Sequence, residues 1–212
     1  MPLWFLLYFM LKFILLFSIA YLPLQSGWQL SSDRDGIKIY TSTASTENKA
    51  RPIKVECTFN ATPSQLAAVL LDIKNYPEWV YHTKLAEIVK EINASDLYYY
   101  SEINVPWPGQ NRDFVSHIVV TTNPETHVIT VEAPNVTGIV PVKQNIFRLT
   151  ASKAKWIITP AGNNQSHVNY ELQIDASGSA PAWLINMFVT EGPFQTFKNL
   201  RTQVQKPAYK IK

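Results

Sequence analysis

Residues 97–120 constrain the fold more than any other stretch. From Leu97 to Val105 the side chains alternate, with Tyr98, Tyr100, Glu102 and Asn104 on one face and Leu97, Tyr99, Ser101, Ile103 and Val105 on the other. A two-residue period is the signature of a strand. Pro106-Trp107-Pro108 then halts it, because proline cannot donate to a β-ladder, and Gly109-Gln110-Asn111 turns the chain. An Arg-Asp pair opens a second apolar strand, Arg112 to Thr122. Strands joined by a short turn pair antiparallel. The second one also carries a permanent guanidinium, Arg112, at the head of a segment that otherwise reads as core. A charge in a core requires a partner.

The same two-residue period recurs along the chain. The folded region begins near Trp28, Asp33-Arg34-Asp35-Gly36 reads as a turn, and Ile37 to Thr41 reads as a short strand. Ser42 to Ala50 is polar and reads as an exposed loop. From Ile53 to Phe59, Ile53, Val55, Cys57 and Phe59 share an apolar face, so Cys57 is expected to be a buried, inert thiol. Strands are also expected over Ala86 to Ile92, His127 to Ala133 and Ile146 to Thr159. Another carries Val168, Tyr170, Leu172 and Ile174 on one face, after a tight turn at Gly162-Asn163-Asn164.

Two segments read as helix. Thr62 fits an N-cap, with Pro63 in the first turn and Gln65 completing a capping box. Leu66, Val69, Leu70 and Ile73 follow at helical spacing. The helix is expected to stop before Pro77, which disfavours the α region at Tyr76. Tyr76-Pro77-Glu78-Trp79 is then an aromatic connection. The chain closes with a helix from about Ala180 to Gln205, apolar through Trp183, Leu184, Met187, Phe188, Phe194, Phe197, Leu200 and Val204. Gly192-Pro193 in its middle predicts a kink. Strands near in sequence with one long helix make an α+β fold with an antiparallel sheet.

A length of 212 residues fits one domain plus a terminal segment. Leu3 to Leu24 is that segment: almost wholly apolar, charged only at Lys12, and long enough to span a bilayer. Ser18-Ile19-Ala20 offers the small residues of a signal-peptide cleavage site, yet no Lys or Arg precedes the apolar run. Residues 1–27 are thus read as either a signal peptide or a retained membrane anchor, and 28–212 as the domain. The expected location is exported, periplasmic or anchored at the cell envelope.

Several function classes are excluded or weak. A formal net charge of +3 is too small for a nucleic-acid binder without a clustered basic face. The single cysteine rules out an internal disulfide. His82, His117, His127 and His167 are scattered, and no acid cluster or His-x-x-x-His gives metal-ligand spacing. There is no Gly-x-Ser-x-Gly elbow and no phosphate-binding Gly loop. Neither metal, cofactor nor catalytic residue is expected. Pro134 to Gln144 reads as a long loop, unusual in its exposed-looking aliphatics Val136, Ile139, Val140 and Val142.

Five motifs stand in order along the chain: Trp28-Gln29-Leu30 with Asp35 to Tyr40, Asp72 to Trp79, Pro106-Trp107-Pro108 with Arg112 to Val115, Trp156 to Pro160, and Ser179 to Leu184 with Phe194, Leu200 and Arg201. Together they resemble those of the bacterial START (StAR-related lipid transfer) domains. The resemblance covers about residues 28 to 206. It implies a helix-grip (Bet v 1-like) fold, a curved antiparallel sheet wrapped around the long C-terminal helix, with a tunnel for one lipid-like molecule between them. Asn135 to Asn145 would be a lid loop over an apolar ligand. The implied ligand-binding residues are Tyr98, Tyr100, Glu102, Trp107, Arg112, Phe114, Ile139, Val140, Trp183, Met187 and Phe188.

The resemblance also implies that Arg112 pairs with Glu102 on one inward face, as the tunnel's polar anchor. The other reading has Arg112 at an edge, paired with Asp113 or a neighbouring carbonyl. The expected function is non-enzymatic: binding one lipid or sterol-like molecule and carrying, presenting or sensing it at a membrane, as a monomer. A cyclase or hydrolase acting in the same cavity and a ligand-free envelope interaction module are the alternatives.

Overall fold

The computed structural model describes residues 27–43, 52–173 and 187–210. Within them a sheet of ten strands bends around a C-terminal helix. The strands are β1 (Trp28–Arg34), β2 (Ile37–Ser42), β3 (Ile53–Phe59), β4 (Thr83–Asn93), β5 (Asp96–Ile103), β6 (Arg112–Thr122), β7 (Ile129–Pro134), β8 (Phe147–Arg148), β9 (Lys153–Pro160) and β10 (Ser166–Gln173). Their order is β1-β2-β3-β10-β9-β7-β6-β5-β4, antiparallel throughout, and β8 adds a short parallel pairing to the start of β6.

The first helix, α1 (Pro63–Leu71), starts as its sequence dictates. The Thr62 hydroxyl accepts from the Gln65 N–H at 3.3 Å and the Gln65 side chain accepts from the Thr62 N–H at 2.9 Å. The aromatic stretch after it is not a plain connection. A 3-10 turn, Ile73–Asn75, leads into a one-turn helix, α2 (Tyr76–Trp79), with Tyr76 itself in the α region. Tertiary contacts override the bias imposed by Pro77. The buried Tyr76 hydroxyl donates to the Leu70 carbonyl at 2.6 Å, and its ring meets Trp79 at 5.1 Å and Tyr99 at 5.5 Å.

One further expectation changes. The long strand over Ile146 to Thr159 is broken into β8 and β9. Leu149 N–H turns to the Asp113 carbonyl at 2.8 Å, so β8 lies beside β6 and the chain re-enters the sheet at Lys153. The closing helix changes its winding at Gly192-Pro193, the expected point of irregularity, within the described residues. A π-helical turn, Met187–Glu191, precedes α3 (Gly192–Gln203), which begins at Gly192-Pro193. Proline in a first turn leaves no intrahelical bond unmade. Trp183, Leu184 and Ile174 lie outside the described residues, as does the N-terminal apolar segment. Among the described residues no helix is long and apolar enough to cross a membrane.

The core lies between the concave sheet face and the helices. Ile37, Ile39, Val55, Phe59, Leu97, Val131, Ile158 and Val168 from the strands meet Leu66, Val69 and Leu70 of α1 and Phe194, Phe197 and Leu200 of α3. Phe197 is the hub, stacked on Trp156 at 5.2 Å and close to Tyr170 at 5.6 Å and Phe59 at 6.0 Å. Arg34 at the end of β1 clasps the helix start, over the Phe194 ring at 3.7 Å and paired with Glu191 at 3.1 Å.

Candidate functional site

The register of β5 and β6 decides which side chains face the core. Tyr99 lies opposite Ser116, Ser101 opposite Phe114 and Ile103 opposite Arg112. Directly opposed residues share a face. Leu97, Tyr99 and Ile118 belong to the main core and Phe114 packs against it, so this is the inner face. Tyr98, Tyr100, Glu102, Asp113, Val115 and His117 therefore point to the outer one. Tyr100 and Val115 are fully buried yet lie outside the main core, under a cover of their own.

That cover is the loop from Val136 to Leu149. Val136 N–H donates to the Val115 carbonyl at 2.9 Å, and Lys143 Nζ sits 4.2 Å above the Tyr100 ring. Arg148 fastens the loop from within. Its Nε and Nη2 reach the two carboxylate oxygens of Asp113 at 2.7 and 3.0 Å, and Nη1 and Nη2 donate to the carbonyls of Val140 at 3.0 Å and Pro141 at 3.2 Å. The Asp113 side chain is wholly buried. The hydrogen bond to that carboxylate raises the Arg148 pKa above its ordinary value. Burial first, and the Asp113 charge second, push the Tyr100 phenol up.

The expected Glu102–Arg112 pair does not form. The hairpin register sets Glu102 opposite Asp113 and Arg112 opposite Ile103, on different faces of the sheet. A one-residue offset sends a side chain to the other face. Glu102 instead accepts from Lys84 Nζ at 2.8 Å and Asn111 Nδ2 at 3.0 Å. Burial alone would raise its carboxyl, but these two donors hold it below the ordinary value. Arg112 follows the other reading of the sequence. Its Nη1 donates to the neighbouring Gln110 carbonyl at 3.1 Å, and its guanidinium lies 5.3 Å from the Phe147 ring. Desolvation lowers its pKa, and no carboxylate pairs with it among the described residues.

The structure therefore separates the sequence-predicted site residues. Arg112 and Phe114 lie on the inner face, with the Phe114 ring 5.8 Å from Tyr99. Met187 and Phe188 are half-buried in the π-helical turn before α3. Tyr98, Tyr100 and Glu102 are on the outer face, where Tyr98 stacks on His117 at 4.1 Å. Trp107 is 92% exposed at the tip of the β5–β6 turn, Ile139 is exposed, and Val140 serves the loop through its carbonyl. Trp183 lies outside the described residues.

Sequence reasoning missed Tyr99, Ser101, Ser116 and Tyr170 on the inner wall. Tyr170 sits among Trp156 and Phe197, and burial pushes its phenol up, yet part of the side chain remains accessible. Ile88, Phe114, Val120 and Ala154 are likewise only partly covered although they pack against the core. Burial pushes the Tyr99 phenol up to about 12. The His117–Asp96 contact at 2.7 Å is on the outer face, and no group of His, Cys, Asp and Glu among the described residues is placed to hold a metal.

Comparison with known proteins agrees with this architecture. The crystal structure of a STAR-related lipid transfer protein fragment from Xanthomonas axonopodis superposes with a TM-score of 0.77 and 29% identity, covering 85% of this chain and all of that one. An uncharacterized Pseudomonas aeruginosa protein is 29% identical over 90% of this chain and 93% of its own length. The rat phosphatidylcholine transfer protein is 27% identical over 79% of this chain and 78% of its own. Human STARD10, 19% identical, shares the fold with a TM-score of 0.75. The START domain family model matches residues 23–210, and the chain belongs to that family.

Proposed function

We propose that this protein binds one lipid-like molecule between the inner face of β5–β6 and the closing helix, and carries or presents it at a membrane surface. The observation that carries the reading is the half-covered inner wall. Ile88, Phe114, Val120, Ala154 and Tyr170 border a close-packed core yet keep accessible surface. Protein interiors normally leave few voids, and apolar walls with a few polar groups are what a ligand site offers. Two relatives named above carry lipid or phosphatidylcholine transfer in their names.

Arg112 supplies the polar end of the reading. Its guanidinium is partly desolvated on the inner face and holds only a backbone carbonyl among the described residues. Ser101 and Ser116, both buried, share that face. A head group with hydrogen-bond acceptors would complete the guanidinium's donor set. Affinity would come mainly from apolar area, at about 25 cal/mol per Å² buried. The reading is of a monomeric, non-enzymatic carrier, exported and held at the envelope by its N-terminal segment. Release would follow movement of the closing helix at the membrane.

The test is direct. The purified full chain is extracted with organic solvent and the extract analysed by mass spectrometry. One lipid class at close to one molecule per chain is expected. No lipid, or a mixture mirroring the bulk membrane, overturns the reading, and turnover of a bound molecule on incubation replaces it with an enzymatic one.

A further inference from the structure

The ends of β2 and β3 do not match. β2 pairs with β3 only as far as Ile37 opposite Cys57, where the chain comes out of the turn at Asp35-Gly36, with Gly36 at φ +68°. β3 runs on, still paired to β10 through Phe59 opposite Ser166. Thr58, Phe59 and Asn60 therefore have no strand beside them on the β2 side. The last turn of α3 crosses this gap without filling it. A cavity of about 390 Å³ remains, lined by Thr58, Phe59 and Asn60 and by Arg201, Val204 and Gln205 at the end of the closing helix. That volume falls within the roughly 300–1,000 Å³ of small-molecule sites. The cavity is separated from β6 by β10, β9 and β7, so it is distinct from the inner wall of β5–β6.

The polar lining is rich in donors. Arg201 is half-buried; its Nη1 donates to the Asp35 carbonyl at 2.7 Å and its Nη2 to the Cys57 Sγ at 3.0 Å. No carboxylate pairs with this guanidinium among the described residues. The thiol does not stand in for one. Burial pushes its pKa up, against the pull of Arg201, so the sulfur is neutral and only a weak acceptor. The guanidinium thus spends two donors on neutral groups and keeps three, with its charge uncompensated. Asn60 is oriented by Gln165, whose Nε2 donates to Asn60 Oδ1 at 2.8 Å. That leaves the Asn60 amide nitrogen as the end with donors to spare. Gln205 Nε2 donates to the Asn60 carbonyl at 2.8 Å and ties the helix end to the rim.

We propose that this cavity is a second ligand site, for a small anion bearing a phosphate group. A guanidinium takes two oxygens of such a group side by side. The Asn60 amide is a further donor, and a phosphate has oxygens left to accept from it. The anion supplies the charge that Arg201 lacks. The site goes beyond the lipid reading and does not depend on it. Its occupant joins the end of β3 to the closing helix, and through Arg201 to the turn before β2. It therefore fastens the C-terminal end of the helix to the sheet and stabilises the native chain, as any ligand of the folded state does.

The experiment titrates the full chain with inorganic phosphate and, separately, with glycerol phosphate, sodium chloride holding the ionic strength constant. The Arg201 Nε–H signal in heteronuclear NMR spectra is the direct readout, and thermal unfolding is the second. A saturable shift of that signal with a midpoint of roughly 1 mM or lower is expected from two or three charge-assisted bonds. Asn60→Asp keeps the acceptor for Gln165, removes the amide donors and places a negative charge at the rim; it is expected to weaken binding roughly tenfold or more. Arg201→Lys keeps the charge but loses the fork and is expected to weaken it as well. Equal midpoints for the two probes assign the site to the free ion, and clearly tighter binding of glycerol phosphate assigns it to a phosphomonoester, a lipid head group included. An Arg201 signal that does not move, or never saturates, with either anion overturns the proposal. So does equal stabilisation of the parent and Asn60→Asp by phosphate, which is only the general effect of an excluded salt.

Discussion

Arg148 and Asp113 join the loop after β7 to the outer face of β6 through two parallel charge-assisted bonds of 2.7 and 3.0 Å. The carboxylate is fully buried and the guanidinium side chain is 8% exposed. The remaining donors of the guanidinium reach the Val140 and Pro141 carbonyls, so one side chain sets the path of the loop and closes the cover over Tyr100. The loop's aliphatics had suggested a lid. Its base is a clamp on the outside of the sheet, and of the aliphatics only Ile139 and Val142 form an exposed tip.

Breaking one side of that clamp strands a charge. Arg148→Met leaves the Asp113 carboxylate buried without its cation, and a loss of about 3–5 kcal/mol in unfolding free energy is expected. Asp113→Asn strands the guanidinium and is expected to cost a similar amount. The double variant should lose clearly less than the sum, because neither charge then remains unpaired. Urea unfolding of the four proteins measures this; strictly additive losses would show that the pair is not coupled.

Glu102 and Arg112 give the contrasting cycle. They face opposite sides of the sheet and share no partner among the described residues. Glu102→Gln and Arg112→Met are therefore expected to be additive in stability within about 0.5 kcal/mol. Arg112→Met alone should change the amount or class of lipid that co-purifies, whereas Glu102→Gln should not. Coupling above 1 kcal/mol would require contact across the hairpin that this register forbids.

The pH dependence of Glu102 has a definite sign. Its folded carboxyl is held below the ordinary value of 4.5 against the opposing effect of burial, by Lys84 and Asn111. A depressed carboxyl contributes stability above its unfolded pKa and loses it as pH falls through the folded value. Glu102→Gln is expected to be less stable than the parent at pH 7, with the gap closing as the pH is lowered from 4.5 downward. Unfolding free energies measured at pH 7, 5, 4 and 3 test this; a gap that widens on acidification contradicts it.

How much of this was legible in the sequence follows from what period-two alternation contains. The alternation of Leu97 to Ile103 separates two faces, but it does not say which face is inward, because both are apolar: Tyr98 and Tyr100 rival Leu97 and Tyr99. The choice is made by the partner elements. Tyr76 of α2, itself set against Trp79, packs on Tyr99, whereas Lys143 from a distant loop covers Tyr100. The cap of α1 was readable because all its atoms lie within four residues. The Asp113–Arg148 pair was not, since it spans 35 positions and depends on β8 lying parallel to β6.

Gly192 sits where the closing helix leaves no room for a side chain. A Cβ added there would lie 2.8 Å from the Met187 carbonyl oxygen and 3.3 Å from the Tyr81 ring. The first contact is with backbone inside the π-helical turn, so it cannot be relieved by a rotamer change. The second is with the residue whose N–H is bonded to Thr196. Gly192→Ala is expected to cost about 1–3 kcal/mol, the range for overpacking a fitted site. Gly27→Ala, where an added Cβ meets nothing within 4 Å, serves as the control and should leave stability unchanged. The measurement is thermal unfolding of both variants beside the parent. Because the clash would push Met187 and Phe188 away from α3, Gly192→Ala should also alter lipid retention more than its stability loss alone would predict. Unchanged unfolding for Gly192→Ala would mean that the π-helical turn yields freely at that position.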